Sequence, residues 1–369
     1  MSSRAVERSA AIPEDASANP PPAPGAHRPT VDLTGSFVSL ARKLPPGAIV
    51  IIDRKVARLH PQVLAAVRPR AALVIPLPAG EPTKSTPVLE RLAARTLTVP
   101  RTTTVLAIGG GTIGDLATVF AHLFKRGVPL IHVPSTLLAA VDSSLGGKGA
   151  VHAGTGRALV KNALGVFHYC HQRWICPELF GTLSARQHRE GLAEAYKMAL
   201  TLDAGRWARY AERTPPLVTL LQDARELKDA ICAQDPYEQS GLRRVLNFGH
   251  TFGHVIETVT GFRVSHGEAV GLGMRCALEV GVELGITPLP LSLSTQDALT
   301  ARAGILPHSA LRRIFSRTTP AQVARVLAAD KKAAAPGQLK MVLLSQPGTT
   351  TVTDVPLPVW RALLTRWRG

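Results

Sequence analysis

The alternation of short apolar runs with helical stretches in the first half of the chain is the feature that most constrains its fold. Runs rich in β-branched and aliphatic residues lie at 48–52, 72–76, 103–108 and 129–134. Strands separated by helical segments form parallel sheets, because a parallel pair needs a long crossover connection. The pattern predicts an α/β domain over 31–184, with a Rossmann-like parallel sheet.

The second half of the chain has a different pattern. Helical periodicity occurs near 185–200, 217–234, 241–258 and 267–284, and one late strand is predicted at 339–345. This pattern predicts a mainly α-helical domain over 185–369, with the active site in the cleft between the two domains. Residues 1–30 include the stretch NPPPAPG and little that could pack, which is typical of a disordered tail.

Composition narrows the class of protein. No apolar run reaches the roughly 20 residues of a membrane helix, and the first residues lack the order of a secretory signal. We therefore expect a soluble, cytoplasmic protein without a membrane partner. The net charge of +17 comes mainly from scattered Arg residues without interleaved aromatic side chains, which does not indicate a nucleic-acid partner. The 4 cysteines lack the CxxC spacing of a structural zinc site.

A glycine-rich turn in the first half predicts a nucleotide site. The segment 107–115, AIGGGTIGD, carries an apolar strand into three glycines and a helix that begins near Thr112. Glycines let a backbone approach a phosphate closely, and the helix start offers free N–H groups. The run lacks the full GxGxxG spacing, so a plain strand-to-helix turn stays open. Asp53, at the end of an earlier strand, could bind ribose hydroxyls.

Carboxylate, imidazole and ammonium groups recur at helical spacing in the second half. Glu194 and Lys197 project from one face of a predicted helix. We predict a single helix over 241–258 that carries three polar residues on one side: Asn247, His250 and His254. His266 follows, and two imidazoles with a carboxylate form a common catalytic zinc set. The segment 137–151 and the residues just after it could surround a polyhydroxylated anion or be a flexible surface loop.

These motifs together resemble the dehydroquinate synthase family of sugar-phosphate cyclases. The likeness runs in order from about residue 47 to 347. It rests on GGGTIGD, RGVPLIHVPSTLLAAVDSSLGGK, GLAEAYK, LNFGHTFGH, SHGEAV and the DKK at 330–332. The resemblance implies an NAD- and metal-dependent lyase that converts 3-deoxy-D-arabino-heptulosonate 7-phosphate to 3-dehydroquinate and phosphate, in the shikimate pathway of aromatic amino acid biosynthesis.

The resemblance also implies roles for individual residues. The ligands of Zn²⁺ or Co²⁺ would be Glu194, His250 and His266. The NAD site would be lined by Asp53, Glu81, Lys84, Gly110, Gly111, Thr112, Asp115, Ser135, Thr136, Lys161 and Thr182. The substrate and the proton transfers would involve Asp142, Lys148, Asn162, Lys197, Lys228, Glu238, Arg243, Asn247, His254 and Lys331 or Lys332. In a homodimer, Arg126 would reach the phosphate in the neighbouring active site.

The chain departs from the family's usual pattern in two segments. Gly149 and His152 stand where the family usually has Thr and Asn, and the interval between Lys148 and Lys161 is longer than usual. The interval from Glu238 to Arg243 is also longer. Two alternatives therefore stay open: a cyclase of secondary metabolism that makes 2-epi-5-epi-valiolone or 2-deoxy-scyllo-inosose, and an NAD- and metal-dependent polyol dehydrogenase.

Overall fold

The computed structural model describes residues 30–154, 160–329 and 338–368. The predicted disordered tail over 1–30 lies outside the described residues, apart from Thr30, and so do Lys331 and Lys332. The predicted domain boundary after Ser184 stays a prediction, although Ser184 is the N-cap of a long helix that begins at Ala185.

Six parallel strands form the central sheet, in the order β1-β8-β5-β4-β2-β3. Two antiparallel hairpins, β6-β7 and β9-β10, stand apart from it. The strands are β1 Val31–Thr34, β2 Ala48–Asp53, β3 Ala71–Leu77, β4 Val105–Gly109, β5 Leu130–Pro134, β6 Lys148–Ala153, β7 Val160–Phe167, β8 Gln172–Ile175, β9 Gln338–Gln346 and β10 Thr349–Pro356. The four predicted strands of the first half and the late strand are confirmed; β1, β6, β7, β8 and β10 were not predicted.

The apolar runs become sheet strands because helices cover both faces. Along β2, Ile49 and Ile51 belong to one core cluster, whereas Val50 and Ile52 belong to the cluster on the other face. Alternate strand residues point to opposite faces, so a strand buried on both sides is apolar throughout. This packing explains why the runs show no polar alternation.

The order of the strands places the predicted nucleotide residues at one edge. The chain passes from β2 to the edge strand β3 and then returns to β4 on the other side of β2. Ligands of open α/β sheets bind at the carboxyl ends of the strands, where the order reverses. Asp53 ends β2, and Gly110 follows β4, so both residues lie at that point.

Fourteen helices are present in the described parts of the chain. They are α1 Phe37–Ala41, α2 Arg54–Leu59, α3 Pro61–Val67, α4 Thr86–Arg95, α5 Gly111–Leu123, α6 Ala185–Leu202, α7 Ala204–Glu212, α8 Leu217–Gln234, α9 His250–Val259, α10 His266–Glu283, α11 Leu289–Ala303, α12 His308–Phe315, α13 Pro320–Ala329 and α14 Leu357–Arg368. The predicted helical second half is thereby confirmed. Among these helices, none has the length and apolar character needed to cross a membrane.

The single helix predicted over 241–258 is wrong. Leu242–Asn247 is a 3₁₀ segment, and α9 begins only at His250. Between them Gly249 has a left-handed backbone with φ of 80°, and a Cβ on it would lie 2.8 Å from the Val270 carbonyl oxygen of α10. Close packing against α10 therefore interrupts the helix, and Asn247 does not share a helical face with the two histidines.

The hairpin β6-β7 lies against α5. A Cβ built on Gly149 would come 2.5 Å from Thr118 Cβ and 3.1 Å from the Asp115 carbonyl oxygen. Thr118 is itself held by hydrogen bonds to the Gly114 carbonyl and to His132. Gly149 is thus required by Thr118 on the neighbouring helix.

We predict that Gly149→Ala lowers the free energy of unfolding by about 1–3 kcal/mol, because overpacking displaces β6 from α5. Urea unfolding followed by circular dichroism measures the change. Gly165→Ala is the matched control in the same hairpin, since its added Cβ would make only ordinary contacts at 3.7 Å and beyond. Equal stability of the two variants would contradict the packing argument.

Candidate active site

Three helices bring one carboxylate and two imidazoles together. Glu194 lies in α6, and His250 and His266 are the first residues of α9 and α10. Their ligand atoms all lie within 4.8 Å of one another. The Oε1 atom of Glu194 is 3.6 Å from the Nε2 atom of each histidine. The structure therefore assembles the predicted metal set.

Each of the two imidazoles is oriented by a contact of its Nδ1 atom, the ring nitrogen that faces away from Glu194. The Nδ1 atom of His250 lies 3.3 Å from the Phe248 carbonyl oxygen, and the Nδ1 atom of His266 lies 3.4 Å from Oε1 of Glu257. Since both oxygens can only accept, each Nδ1 donates, and in the neutral imidazole each Nε2 then has the lone pair that a cation needs. Burial alone would raise the pKa of Glu257, but the hydrogen bond with His266 lowers it overall. A role for Glu257 was not predicted from the sequence, because nothing in the sequence distinguishes it from other acidic residues on helices.

The surroundings of Glu194 fit a divalent cation. Its side chain is fully buried, and neither carboxylate oxygen has a hydrogen-bond partner among the described residues, although the Lys197 ammonium contacts Oε2 as an ion pair. A buried carboxylate without hydrogen bonds is costly unless a cation compensates it. Tetrahedral ligands at zinc bond lengths stand about 3.3 Å apart, close to the 3.6 Å between Glu194 Oε1 and Nε2 of each histidine.

The start of α10 fixes the position of His266. Ser265 and Glu268 form a capping box at that helix end. Arg186 of α6 contacts Glu268 at 2.6 Å and donates to the Arg263 carbonyl oxygen at 2.7 Å. The helices that carry Glu194 and His266 are thus tied together beside the metal set.

An ion pair between a partly buried carboxylate and a buried ammonium lies beside this set. Asp142 sits in a short π-helical segment, Ala139–Ser143, and its Oδ1 atom lies 2.6 Å from the Lys228 ammonium. Burial alone would raise the pKa of Asp142, but Lys228 and Lys197 outweigh it and hold the pKa well below its usual range. The carboxylate is therefore ionised, and two buried ammonium groups face the same place.

Other predicted substrate residues adjoin this pair. Arg243 is buried and donates to the carbonyl oxygens of Pro236 and Gly146, while its Nε has no hydrogen-bond partner among the described residues. The rings of His254 and His250 have centroids 5.7 Å apart. Lys148 pairs with Glu238 at 2.5 Å, a contact that joins β6 to the segment after α8.

The glycine turn carries the predicted cofactor residues. Gly110 caps α5, and Lys84 pairs with Asp115 at 2.5 Å. Burial raises the pKa of Asp115, with Lys84 opposing it and Glu81 and Asp142 adding to it. A Cβ on Gly111 would lie 3.1 Å from Oγ of Ser143, the residue after Asp142, so the glycine turn and the ion pair are neighbours.

The remaining predicted cofactor residues make contacts of their own. Thr112 accepts from the Gly80 N–H at 3.3 Å, and Thr136 accepts from the Ala139 N–H at 3.1 Å. Thr182 contacts His60 at 3.0 Å. Asp53 caps α2: its Oδ1 atom accepts a hydrogen bond from the Lys55 N–H and stabilises the start of the helix. Ser135 follows β5 and is buried.

Arg126 lies far from these groups within its own chain. It is exposed and ends the 3₁₀ segment after α5, with left-handed φ angles at Lys125 and Arg126. The glycine turn lies at the opposite end of α5. At 1.5 Å per residue, the 13 residues of α5 separate the two ends by about 20 Å.

Two family models match the chain over adjoining segments. The 3-dehydroquinate synthase N-terminal model matches residues 74–190, and the 3-dehydroquinate synthase C-terminal model matches 191–333. Curated relatives named 3-dehydroquinate synthase include the protein of Nitrosococcus oceani, 37% identical over 83% of this chain and 85% of its own length. The Enterococcus faecalis protein is 35% identical over 88% of this chain and 90% of its own length.

Solved structures give the same fold. The 2-epi-5-epi-valiolone synthase of Streptomyces hygroscopicus, with NAD⁺ and Zn²⁺ bound, is 25% identical with a TM-score of 0.78 and covers 93% of this chain and 97% of that one. A 2-deoxy-scyllo-inosose synthase is 24% identical with a TM-score of 0.77 over 93% and 98%. The parallel sheet, the helical second half and the family models agree: the chain belongs to the 3-dehydroquinate synthase family.

Proposed function

We propose that this chain is a 3-dehydroquinate synthase, which converts 3-deoxy-D-arabino-heptulosonate 7-phosphate to 3-dehydroquinate and phosphate with NAD and a divalent metal. The observation that best supports this proposal is the set of Glu194, His250 and His266 beside the Asp142–Lys228 ion pair. Relatives 34–37% identical bear this name, which favours this activity over the valiolone and inosose synthases at 24–25%.

Zn²⁺ is the proposed metal, with Co²⁺ as the alternative. The valiolone synthase structure contains NAD⁺ and Zn²⁺, which supports NAD and Zn²⁺ as the cofactors of this chain. When bound, NAD takes up and returns a hydride, and the metal polarises a substrate hydroxyl. The residues of the chain hold one substrate conformation and exclude water around it.

Positive charge supports a substrate that carries a phosphate and a carboxylate. Lys197 and Lys228 are both buried, and they pair with Glu194 and Asp142 respectively, so a bound divalent cation would leave this set with a net positive charge. Arg243 adds a buried guanidinium to these charges. Buried cations bind anions strongly because the low dielectric weakens screening. Lys148, Asn162, Glu238 and Asn247 complete the proposed contacts, and a lysine of the DKK motif would join them.

His254 is the proposed proton-handling group. It lies one helical turn after His250 on α9. An imidazole exchanges a proton near neutral pH, and phosphate elimination requires a proton to leave the neighbouring carbon. Its place next to the metal set supports this role.

The substrate assignment can be tested directly. Purified protein with NAD and Zn²⁺ should release phosphate from 3-deoxy-D-arabino-heptulosonate 7-phosphate and form the cyclic product, followed by phosphate assay and mass spectrometry. Sedoheptulose 7-phosphate and glucose 6-phosphate serve as parallel substrates. Turnover of either of these alone would replace the assignment with a cyclase of secondary metabolism. Net NADH from an unphosphorylated polyol would indicate a dehydrogenase.

Glu257 should support metal binding through His266. We predict that Glu257→Gln weakens Zn²⁺ affinity about 10–100-fold, because the amide holds the imidazole less firmly in the tautomer that offers Nε2. Competition with a chromogenic chelator measures the affinity. Glu279→Gln is the matched control, since Glu279 contacts His308 at 3.2 Å on another part of the helical half. Unchanged affinity in Glu257→Gln would remove this residue from the site.

A homodimer with Arg126 in the neighbouring site is the proposed assembly. The distance of Arg126 from its own glycine turn supports a role in a partner subunit. Leu123 lies near Arg126 in the sequence, and Val160 and Leu164 lie on β7. All three are exposed apolar side chains, which supports a surface that a second copy covers.

The four cysteines are free and buried, which is compatible with the proposed cytoplasmic location.

Complementation between two inactive variants tests this assembly. Arg126→Ala and Lys197→Ala, co-expressed with different tags and purified as a mixed dimer, should have about half of the wild-type activity, because one of the two sites then contains both native residues. Each variant alone should be inactive. An inactive mixed dimer would show that Arg126 serves its own subunit.

A further inference from the structure

His152 makes hydrogen bonds through both ring nitrogens inside the hairpin β6-β7. Its side chain is 2% exposed. The Nε2 atom lies 2.8 Å from Oε2 of Glu81, and the Nδ1 atom accepts the Asn162 N–H at 3.0 Å. The ring thus connects a residue proposed for the cofactor with one proposed for the substrate.

These contacts define the protonation of the ring. A backbone N–H can only donate, so Nδ1 of His152 must carry a lone pair. The proton of the neutral imidazole is then on Nε2, where it is donated to the Glu81 carboxylate. Both polar atoms of this buried ring are satisfied in one tautomer only, which is the condition for a rigid connection.

The Glu81 carboxylate faces the cofactor edge of the sheet. It is half-exposed, and the Lys161 ammonium lies 3.9 Å from it. One oxygen is held by His152, so the remaining acceptor positions stay directed outward, where a ribose hydroxyl could donate to them. Without His152, this exposed side chain would lose the contact that selects its rotamer.

The other contact holds the start of β7. Asn162 has a left-handed backbone with φ of 50°, a conformation that costs free energy for a residue other than glycine. Its N–H bond to the buried ring stabilises that conformation. The preceding Lys161 reaches across to the ring of Phe262, 3.4 Å from its centroid, beside α10. The position of Asn162 thus depends on His152.

We propose that His152 is a positioning residue that couples the two parts of the active site: its Nε2–H orients Glu81 for NAD, and its Nδ1 holds Asn162 for the sugar phosphate. The inference rests on the proposed function. It assigns a purpose to the histidine that replaces the family's usual asparagine beside a longer loop.

Two variants separate the two hydrogen bonds. The amide oxygen of Asn can take the place of Nδ1, whereas the amide nitrogen of Gln reaches the place of Nε2. His152→Asn should therefore weaken NAD binding on the order of tenfold, with little change in KM for the sugar phosphate. His152→Gln should bind NAD like the wild type and show a raised KM for the sugar phosphate. Calorimetry gives the NAD affinity, and initial rates give KM.

A double-mutant cycle tests whether His152 acts through Glu81. Glu81→Ala should weaken NAD binding, and adding His152→Asn to it should cause no further loss. Additive losses, or an NAD affinity of His152→Asn equal to the wild type, would overturn the proposal. His308→Asn is the matched control, because it also removes a contact between Nε2 of a histidine and a glutamate. It should leave both constants unchanged.

Thermal unfolding of each variant identifies any loss of fold. If His152→Asn does not fold, His152→Gln and Glu81→Ala still test the coupling, because the former must preserve NAD affinity while the latter lowers it. Absence of NAD binding by the wild-type protein would instead refute the proposed function. The two failures are thereby distinguished.

Discussion

The buried carboxylate of Glu194 is the constraint on which the rest of the site depends. It lies in the interior without a hydrogen bond among the described residues, and two imidazole nitrogens face one of its oxygens at 3.6 Å. An ionised group in such a place needs cations around it. Lys197 supplies one, and the two imidazoles are held in the tautomer that leaves room for a metal. The packing of α6, α9 and α10 keeps these groups together.

Charged groups also lie between the helical half and the sheet. Asp142 has a lowered pKa beside Lys228 and Lys197, whereas Asp115 has a raised pKa that Asp142 helps to raise. Neighbouring carboxyl groups with opposite shifts are typical of functional sites. A continuous set of charged groups therefore runs from the glycine turn through the π-helical segment to the metal ligands. This continuity supports hydride transfer and metal chemistry on one substrate.

The hairpin β6-β7 carries Gly149 and His152, two residues at which the sequence is expected to depart from the family's usual pattern. Gly149 permits close contact with Thr118 of α5. His152 connects the hairpin to Glu81 and also bonds to Asn162 within it. The proposed metal ligands lie on other elements, α6, α9 and α10. The contacts of the hairpin can therefore change without moving the metal ligands.

The sequence by itself determined the fold class and the metal set. Apolar runs at regular intervals specify buried parallel strands because that signal is local, whereas the three ligands were indicated by the motifs that resemble the family and lie on three different helices. Only the tertiary structure decided that Asn247 lies outside α9. The helix is interrupted at Gly249 because the backbone there packs closely against α10, a later segment of the chain. The contacts of Glu257 with His266 and of His152 with Glu81 could not be predicted from the sequence either. They join segments whose separation along the chain carries no periodic signal, so only folding brings them into contact.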